Sequence, residues 1–360
     1  MAETPVEVAW FAALCDDDYE YLGIAEPRLR SSFEHCREIL RRAEGGGFDN
    51  ILLPSGYQLG IDGVSFAAGV AAETHALRLL LAVRCGELWP PQLARQLATL
   101  DEMLGGRLTI NIISSDLPGA PVDSEPRYAR TLEVMRALRS WMRGDALETE
   151  GEFYSFALDP PEICVRRRRC PPFYFGGLSE PAREVAAQAA DVYLMWPDRM
   201  EALGHLLKDL QGRAAKHGRV LRFGYRVHVI VRETEAEAIE ASQKLVSRLD
   251  PEVGSDIRQR SLDHQSIGVR RQAELRESSD DDGFAEENLF TGIGRARSGC
   301  GVAIVGDPDQ VVAKLEAYRS LGIDAFILSG YPHAEECDLV ARYVLPRIPH
   351  APLYASDEGF

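Results

Sequence analysis

The sequence predicts a closed (β/α)8 TIM barrel. Eight short apolar runs alternate with amphipathic helical patterns over 360 residues, a number and length that fit such a barrel. The runs are dominated by β-branched and aromatic residues and are bounded by turn residues. An open doubly wound sheet usually carries Gly-x-Gly-x-x-Gly after its first strand, whereas here Phe11 leads into Ala-Ala-Leu-Cys-Asp-Asp-Asp.

Strands are expected at Val6–Phe11, Ile51–Leu53, Leu79–Val83, Leu108–Ile113, Phe173–Phe175, Val192–Trp196, Phe223–Val231 and Ala325–Leu328. Helices are expected over Ser32–Glu44, Pro91–Leu104, Arg127–Trp141, Pro181–Ala189, Met200–His217, Ala236–Arg248, Pro308–Ser320 and Glu335–Val344. Several open on Ser, Asp or Pro, residues that cap or start a helix. Two insertions interrupt the alternation. Leu147–Phe156 alternates around Glu-Gly and reads as a hairpin before the fifth strand. The stretch from about 250 to 301 is polar, contains the acidic run Glu277–Asp282 and ends in the glycine-rich, cationic Gly292–Gly301. Such a composition stays mobile unless something pins it. It is either a surface loop or a lid that closes over a ligand, and Arg297 favours the lid. One barrel domain is expected over 1–350, with 351–360 as a short tail.

Composition limits what such a barrel binds. A net charge of -16 and a pI near 5.0 argue against nucleic acid, whose phosphates need a basic face. The N-terminus Met1–Val8 carries acids where a signal peptide wants Lys or Arg, and no segment approaches the roughly 18 apolar residues of a membrane span. A cytoplasmic location is expected. The cysteines, at 15, 36, 85, 164, 170, 300 and 337, are odd in number and lack a Cys-x-x-Cys pair, so neither a disulfide framework nor a zinc knuckle is expected. The run Arg166–Arg169 reads as a solvated loop or an intersubunit salt-bridge patch. His35, His75, His205, His217, His264 and His350 have no partners at useful spacing and receive no role.

Against this acidic background, Arg226-Val-His228 and Tyr331-Pro-His333 each set two polar, proton-handling side chains two residues apart beside an apolar run. The period of two aims each pair at one side of a strand. Burying these groups without partners is expensive, so the cluster predicts a wet pocket for a small anion. Barrel enzymes place chemistry where strands end. Those positions here are Leu14-Cys15, Pro54–Gln58, Arg84–Glu87, Ser114–Asp116, Gly176–Ser179, Trp196 and Ser329–His333. There is no Ser-His-Asp order, no His-Glu-x-x-His and no close pair of metal-ligand type, so no metal is expected and a borrowed cofactor is favoured. Gly176-Gly177 lets the backbone approach a bound group, and Ser179 caps a helix whose N-terminus attracts phosphate. A Gly-Gly turn is also ordinary barrel geometry, and this motif alone does not decide.

Four longer stretches carry a resemblance: Ala94–Arg107, Tyr174–Gly177, Arg222–Thr234 and Leu328–His333. They resemble the bacterial luciferase-like flavin monooxygenases, and within them the alkanesulfonate monooxygenases, and the likeness extends back to Trp10-Phe11 and Tyr21-Leu-Gly23. The resemblance implies a barrel that receives reduced FMN (FMNH2) from a separate NAD(P)H-dependent FMN reductase and uses O2 as co-substrate. It implies oxygenation of the carbon bearing a sulfonate, with an aldehyde and sulfite as products. Positions matching Trp196, Arg226, His228, Arg297, Tyr331 and His333 line the substrate pocket in that family. Arg226 and Arg297 suit a sulfonate, His228 and His333 donate or move protons, Tyr331 donates to oxygen, and Trp196 forms an apolar wall. For the cofactor the resemblance points to Asn111, Ser114, Tyr128, Gly177 and Ser179. A homodimer or homotetramer is expected on the same ground.

The chain departs from the family pattern at two places, with Leu14-Cys15 where characterised alkanesulfonate enzymes carry a His and Tyr57–Gly60 where they carry a Cys. The Tyr57 hydroxyl and Gln58 amide suit a polyhydroxylated substrate, which puts a sugar sulfonate such as sulfoquinovose beside simple alkanesulfonates. Two alternatives stand: a deazaflavin (F420)-dependent hydride-transfer enzyme on the same barrel, and a non-catalytic flavin-binding barrel. A hydride-transfer enzyme has no reason to keep Arg226, Arg297 and His333 together, and a non-catalytic barrel is disfavoured by Tyr331 and both histidines beside the arginines.

Overall fold

The computed structural model describes residues 5–260, 262 and 266–355. From the start the chain forms β1 (Glu7–Phe11), α1 (Phe33–Gly46), β2 (Asn50–Leu53), α2 (Gly63–Val70), β3 (Arg78–Arg84), α3 (Pro90–Met103), β4 (Leu108–Ile113) and α4 (Ser124–Met142). A hairpin of β5 (Leu147–Glu150) and β6 (Ser155–Leu158) precedes α5 (Glu162–Arg167), β7 (Phe173–Gly176), α6 (Glu180–Ala189), β8 (Val192–Met195), α7 (Met200–Lys216) and β9 (Arg222–Val231). Then come α8 (Glu235–Val246), α9 (Pro251–Gln259), α10 (Ile267–Glu277), β10 (Phe284–Glu286), β11 (Leu289–Phe290), β12 (Ala303–Gly306), α11 (Pro308–Leu321), β13 (Ala325–Ser329) and α12 (His333–Tyr343).

Parallel pairing runs β1-β2-β3-β4-β7-β8-β9-β13 and returns from β13 to β1, closing an eight-stranded (β/α)8 barrel. The pleat divides the core. Ala9, Phe11, Leu52, Leu80, Tyr174, Val192 and Ile327 form one cluster within the barrel. Their sequence neighbours Val8, Trp10, Ile51, Leu53, Leu79 and Leu81 pack outward with the helices. At the N-terminal end of the strands, Glu7 accepts hydrogen bonds from Tyr174 Oη at 2.8 Å, Asn50 Nδ2 at 3.3 Å and the Leu353 N–H at 3.1 Å.

β9, ten residues long, has two neighbours on one of its sides. Its first half pairs there with β8, from Val192 opposite Arg222 to Met195 opposite Tyr225. Its second half pairs with β12, from Ala303 opposite His228 to Gly306 opposite Val231. β12 was not expected from sequence. It brings the Arg297–Gly301 stretch against the end of β9 that carries Arg226 and His228.

Three other differences have local causes. Gly63–Val70 contains two glycines and two valines, poor helix formers, yet α2 forms because Asp62 caps it by accepting the Ser65 N–H at 2.7 Å. The acidic run is pinned: Asp280 accepts the Phe284 N–H, Arg199 donates to Ser278 O, and Gln243 donates to Asp282 O. The arginine run is solvated only in part: Arg166 and Arg168 are exposed, while Arg167 and Arg169 both reach the fully buried Asp101 of α3, at 2.7 and 3.4 Å. Residues 356–360 of the expected tail, and His264, lie outside the described residues.

Candidate active site

β9 presents Arg226 and His228 on one side, two residues apart, and β13 delivers Tyr331 and His333 beside them. Arg297 arrives from the segment before β12. The five side chains expected from sequence therefore come together. Phe11, at the end of β1, underlies three of them: the Arg226 guanidinium lies 4.3 Å, that of Arg297 5.3 Å and the His333 ring 5.6 Å from its ring centroid. The His228 and His333 rings lie 5.1 and 5.0 Å from the Tyr331 ring.

Each member has a distinct state. Arg297 Nη1 donates to Asp17 Oδ2 at 2.7 Å and to Tyr331 Oη at 2.6 Å. Burial works against its charge, but the Tyr331 oxygen and the Asp17 carboxylate outweigh burial and hold the guanidinium above its ordinary value. Burial pushes the Tyr331 phenol up despite Arg297, so it keeps its proton at neutral pH. Because Arg297 donates to the phenol oxygen, the Tyr331 O–H remains a donor. Burial pushes Arg226 down to about 10, with the neighbouring Arg297 acting in the same direction, which still leaves it charged at neutral pH. Its Nη1 donates to Val227 O, while Nη2 is buried without a bond among the described residues.

His228 is sealed. Nε2 faces Cys300 O at 3.1 Å and Nδ1 faces Ser329 Oγ at 2.7 Å. The carbonyl can only accept, so Nε2 carries the proton and Nδ1 accepts from the serine. Burial and the adjacent Arg226 charge keep this ring well below its ordinary value. No free nitrogen is left for the proton-moving role expected from sequence; the geometry instead makes His228 a tie between β9, β13 and the segment carrying Arg297.

His333 differs. Its Nδ1 and its backbone N–H both meet Asp18 Oδ1, at 3.0 and 2.9 Å, while Nε2 is buried without a partner among the described residues. Asp18 also takes His35 Nε2 at 2.8 Å. Burial alone would raise the Asp18 carboxyl, but His333, His35 and the His333 N–H outweigh it and hold it below the ordinary range. His35 thus has a partner that spacing did not reveal.

A cavity of about 540 Å³ opens above this cluster, lined by Phe11, Asp17, Arg84, Trp196, Arg297 and Tyr331 among others. Arg226 and His333 sit one layer deeper. Tyr57 and Gln58 also line the cavity but are exposed, Tyr57 by 67%. Sequence reasoning missed Asp17 and Asp18, although three consecutive acids in the loop after a barrel strand were a visible signal. It also passed over Arg84, named only as part of the rim.

A second cleft of about 470 Å³ lies at the ends of β4, β7 and β8 and contains Asn111, Ser114, Tyr128, Gly177 and Ser179, all five of the cofactor positions expected. Trp196 lines both spaces. Gly177 has φ 149, and a Cβ there would lie 2.7 Å from Ala182 Cβ and 3.0 Å from Tyr128 Oη, so glycine keeps this wall open. Ser179 caps α6 by accepting the Ala182 N–H at 3.3 Å, leaving a helix N-terminus at the cleft. Apolar walls from Ile112, Leu194 and Met195 complete it. These residues fit a planar, phosphorylated ring system such as FMN: hydroxyls and a helix dipole at one end, apolar surface at the other.

Fold and site define a (β/α)8 barrel with an anion-handling cluster beside a cleft for a phosphorylated ring. The family model for luciferase-like monooxygenases matches residues 8–325, and the chain belongs to that family. It is 61% identical over 360 residues to the sulfoquinovose monooxygenase of Novosphingobium aromaticivorans, covering 98% of this chain and 99% of the relative. It is 50% identical over 352 residues to the sulfoquinovose monooxygenase of Agrobacterium fabrum, covering 96% and 91%. Among solved structures, a riboflavin lyase with modified FMN and riboflavin superposes with a TM-score of 0.79 at 15% identity, over 98% of this chain and 94% of that one, a likeness of fold.

Proposed function

We propose that this chain is a two-component flavin-dependent monooxygenase that cleaves the C–S bond of a sugar sulfonate, sulfoquinovose foremost. R–CH2–SO3⁻, FMNH2 and O2 would become R–CHO, sulfite, FMN, water and a proton; one oxygen atom enters the aldehyde and the other leaves as water. Reduced FMN, supplied by a separate NAD(P)H-dependent reductase, provides two electrons and the means of activating O2 when bound in the cleft of Asn111, Ser114, Tyr128, Gly177 and Ser179. The observation that carries this reading is the convergence of Arg226 and Arg297 on Phe11, with Tyr331 bonded to Arg297, at the foot of a cavity that shares Trp196 with that cleft. Identity of 61% and 50% to two sulfoquinovose monooxygenases supports it.

The roles follow from the bonding. Arg297 and Arg226 hold the sulfonate, Arg297 through the N–H groups that Asp17 and Tyr331 do not engage. Tyr331 donates its O–H to a developing or departing oxygen, and His333, fixed by Asp18, holds or moves a proton at Nε2. Trp196 walls the two spaces, and Ile257, Arg260, Ile267 and Gly268 of the insertion close over them: a Cβ on Gly268 of α10 would lie 2.9 Å from the Trp196 ring. Purified protein with FMN, a flavin reductase, NAD(P)H and air is expected to release sulfite from sulfoquinovose, and none without O2. No sulfite from a panel of sugar and C1–C6 alkyl sulfonates in air would overturn the reading. Oxygen-independent turnover would point to hydride transfer instead.

A further inference from the structure

Among the described residues, two buried polar atoms of the cavity-lining side chains have no hydrogen-bond partner: Asp17 Oδ1 and Arg84 Nη1. Both belong to otherwise well-held side chains. Asp17 keeps Oδ2 on Arg297 at 2.7 Å. Arg84, the last residue of β3, has a side chain only 3% exposed; its Nε donates to Glu87 Oε1 at 2.8 Å and its Nη2 to Ser55 O at 3.4 Å. Two of the three guanidinium nitrogens are fixed, so the third is a preorganised donor. We infer that Asp17 and Arg84 read hydroxyl groups of the substrate and set a preference for polyhydroxylated over alkyl sulfonates, an inference that rests on the desulfonating function proposed above.

The chemistry of the two atoms selects the ligand. One is an acceptor and the other a donor, and a hydroxyl is the neutral group that serves either. Glu87 already balances the Arg84 charge and Arg297 that of Asp17, so the pair offers hydrogen bonds more than a second site for an anion. An alkyl chain seated against these atoms leaves both unpaired, whereas a sugar hydroxyl bonds them. A site with buried polar groups therefore discriminates against the ligand that leaves them unpaired. Tyr57 and Gln58 lack this leverage: they are exposed and stay hydrated whichever ligand is bound.

The test compares wild type, Arg84→Met, Arg84→Lys and Asp17→Asn on sulfoquinovose and hexanesulfonate, by initial rates of sulfite release and by calorimetric binding. Arg84→Met is expected to lower kcat/KM for sulfoquinovose about 10- to 100-fold, mainly through KM, and to change hexanesulfonate by less than about threefold. Arg84→Lys, which keeps a cation near Glu87 but loses the fork, guards against misfolding and is expected to lose the same selectivity. Asp17→Asn also disturbs Arg297, so both substrates suffer, the sugar more. Equal losses on both substrates, or undiminished sulfoquinovose binding in the Arg84 variants, overturn the inference, as does absence of sulfoquinovose binding to wild type. Wild type that binds sulfoquinovose through Arg84 yet releases no sulfite overturns the reaction and leaves the inference standing.

Discussion

Glu7 and Asp17 lie at opposite ends of the barrel, one opening β1 and the other in the loop beyond it, and their carboxylates are used in contrasting ways. Glu7 is 1% exposed, and both of its oxygens are occupied, by Tyr174, Asn50 and the Leu353 N–H. Asp17 keeps one oxygen on Arg297 and leaves the other buried and unbonded at a cavity. Burying a charge is tolerable when every lone pair finds a partner, and a site that stops short of this is prepared for something else to complete it. The same contrast separates His228, bonded at both nitrogens, from His333, bonded at one. In these two pairs, bond saturation separates the group that holds the fold from the group left open beside the site.

The strongest way to break that division is at the anion end. Arg297→Ala removes the donor shared by Asp17, Tyr331 and the sulfonate, and kcat/KM for sulfoquinovose is expected to fall about 100- to 1,000-fold. FMN affinity, followed by flavin fluorescence, should be unchanged, because Arg297 does not line the second cleft. Parallel loss of flavin binding would show that the two spaces are not independent. At the saturated end, Glu7→Ala leaves three donors unmet and should cost about 2–4 kcal/mol of stability, a drop of several degrees in Tm. Turnover measured well below that midpoint should be unaffected.

An intermediate case carries a pH signature. The Asp18 carboxyl is held below its ordinary value of 3.8 by His333 and His35, which outweigh its burial. A carboxyl that is more acidic folded than unfolded contributes stability that is present above pH 4 and lost as pH falls toward the folded value. Asp18→Asn should therefore lower Tm at pH 7, by about 1–3 kcal/mol in stability, with a gap to wild type that stays level to pH 5 and narrows below pH 4. A gap that persists unchanged at pH 3 would assign the loss to packing. Because Asp18 also orients His333, sulfite release should fall in this variant as well, unlike in Glu7→Ala.

Much of this was legible in the sequence, for physical reasons that differ by residue. The barrel strands were visible because buried parallel strands need apolar, β-branched runs, and all eight occur near their expected positions. Arg226, His228, Tyr331 and His333 stood out because such side chains are out of place beside apolar runs. β12 was hidden: it is four residues long and comes just after the glycine-rich Gly292–Gly301. α2 was hidden by its glycines. Asp17, Asp18 and Arg84 were in plain view as letters, but an acid after a strand or an arginine at its end declares itself only through its bonds. The sealing of His228 by Cys300 O depends on β12, so its role could not be read one strand at a time.

The smallest effects are expected where sequence reasoning placed substrate recognition. Tyr57 and Gln58 line the cavity, but both are exposed, so their polar atoms are hydrated with or without a ligand. Replacing one water bond by one ligand bond at such a position changes free energy by well under about 1 kcal/mol, because the exchange is nearly even. Tyr57→Phe and Gln58→Ala should each change kcat/KM for sulfoquinovose by less than about threefold and leave its ratio to hexanesulfonate intact. A loss above about tenfold in either variant, confined to the sugar, would mean that the loop after β2 folds inward when substrate binds and buries these groups. Exposure in the ligand-free chain would then cease to separate specificity residues from rim residues, and the distinction drawn between Glu7 and Asp17 would hold only for groups carried by or close to the strands.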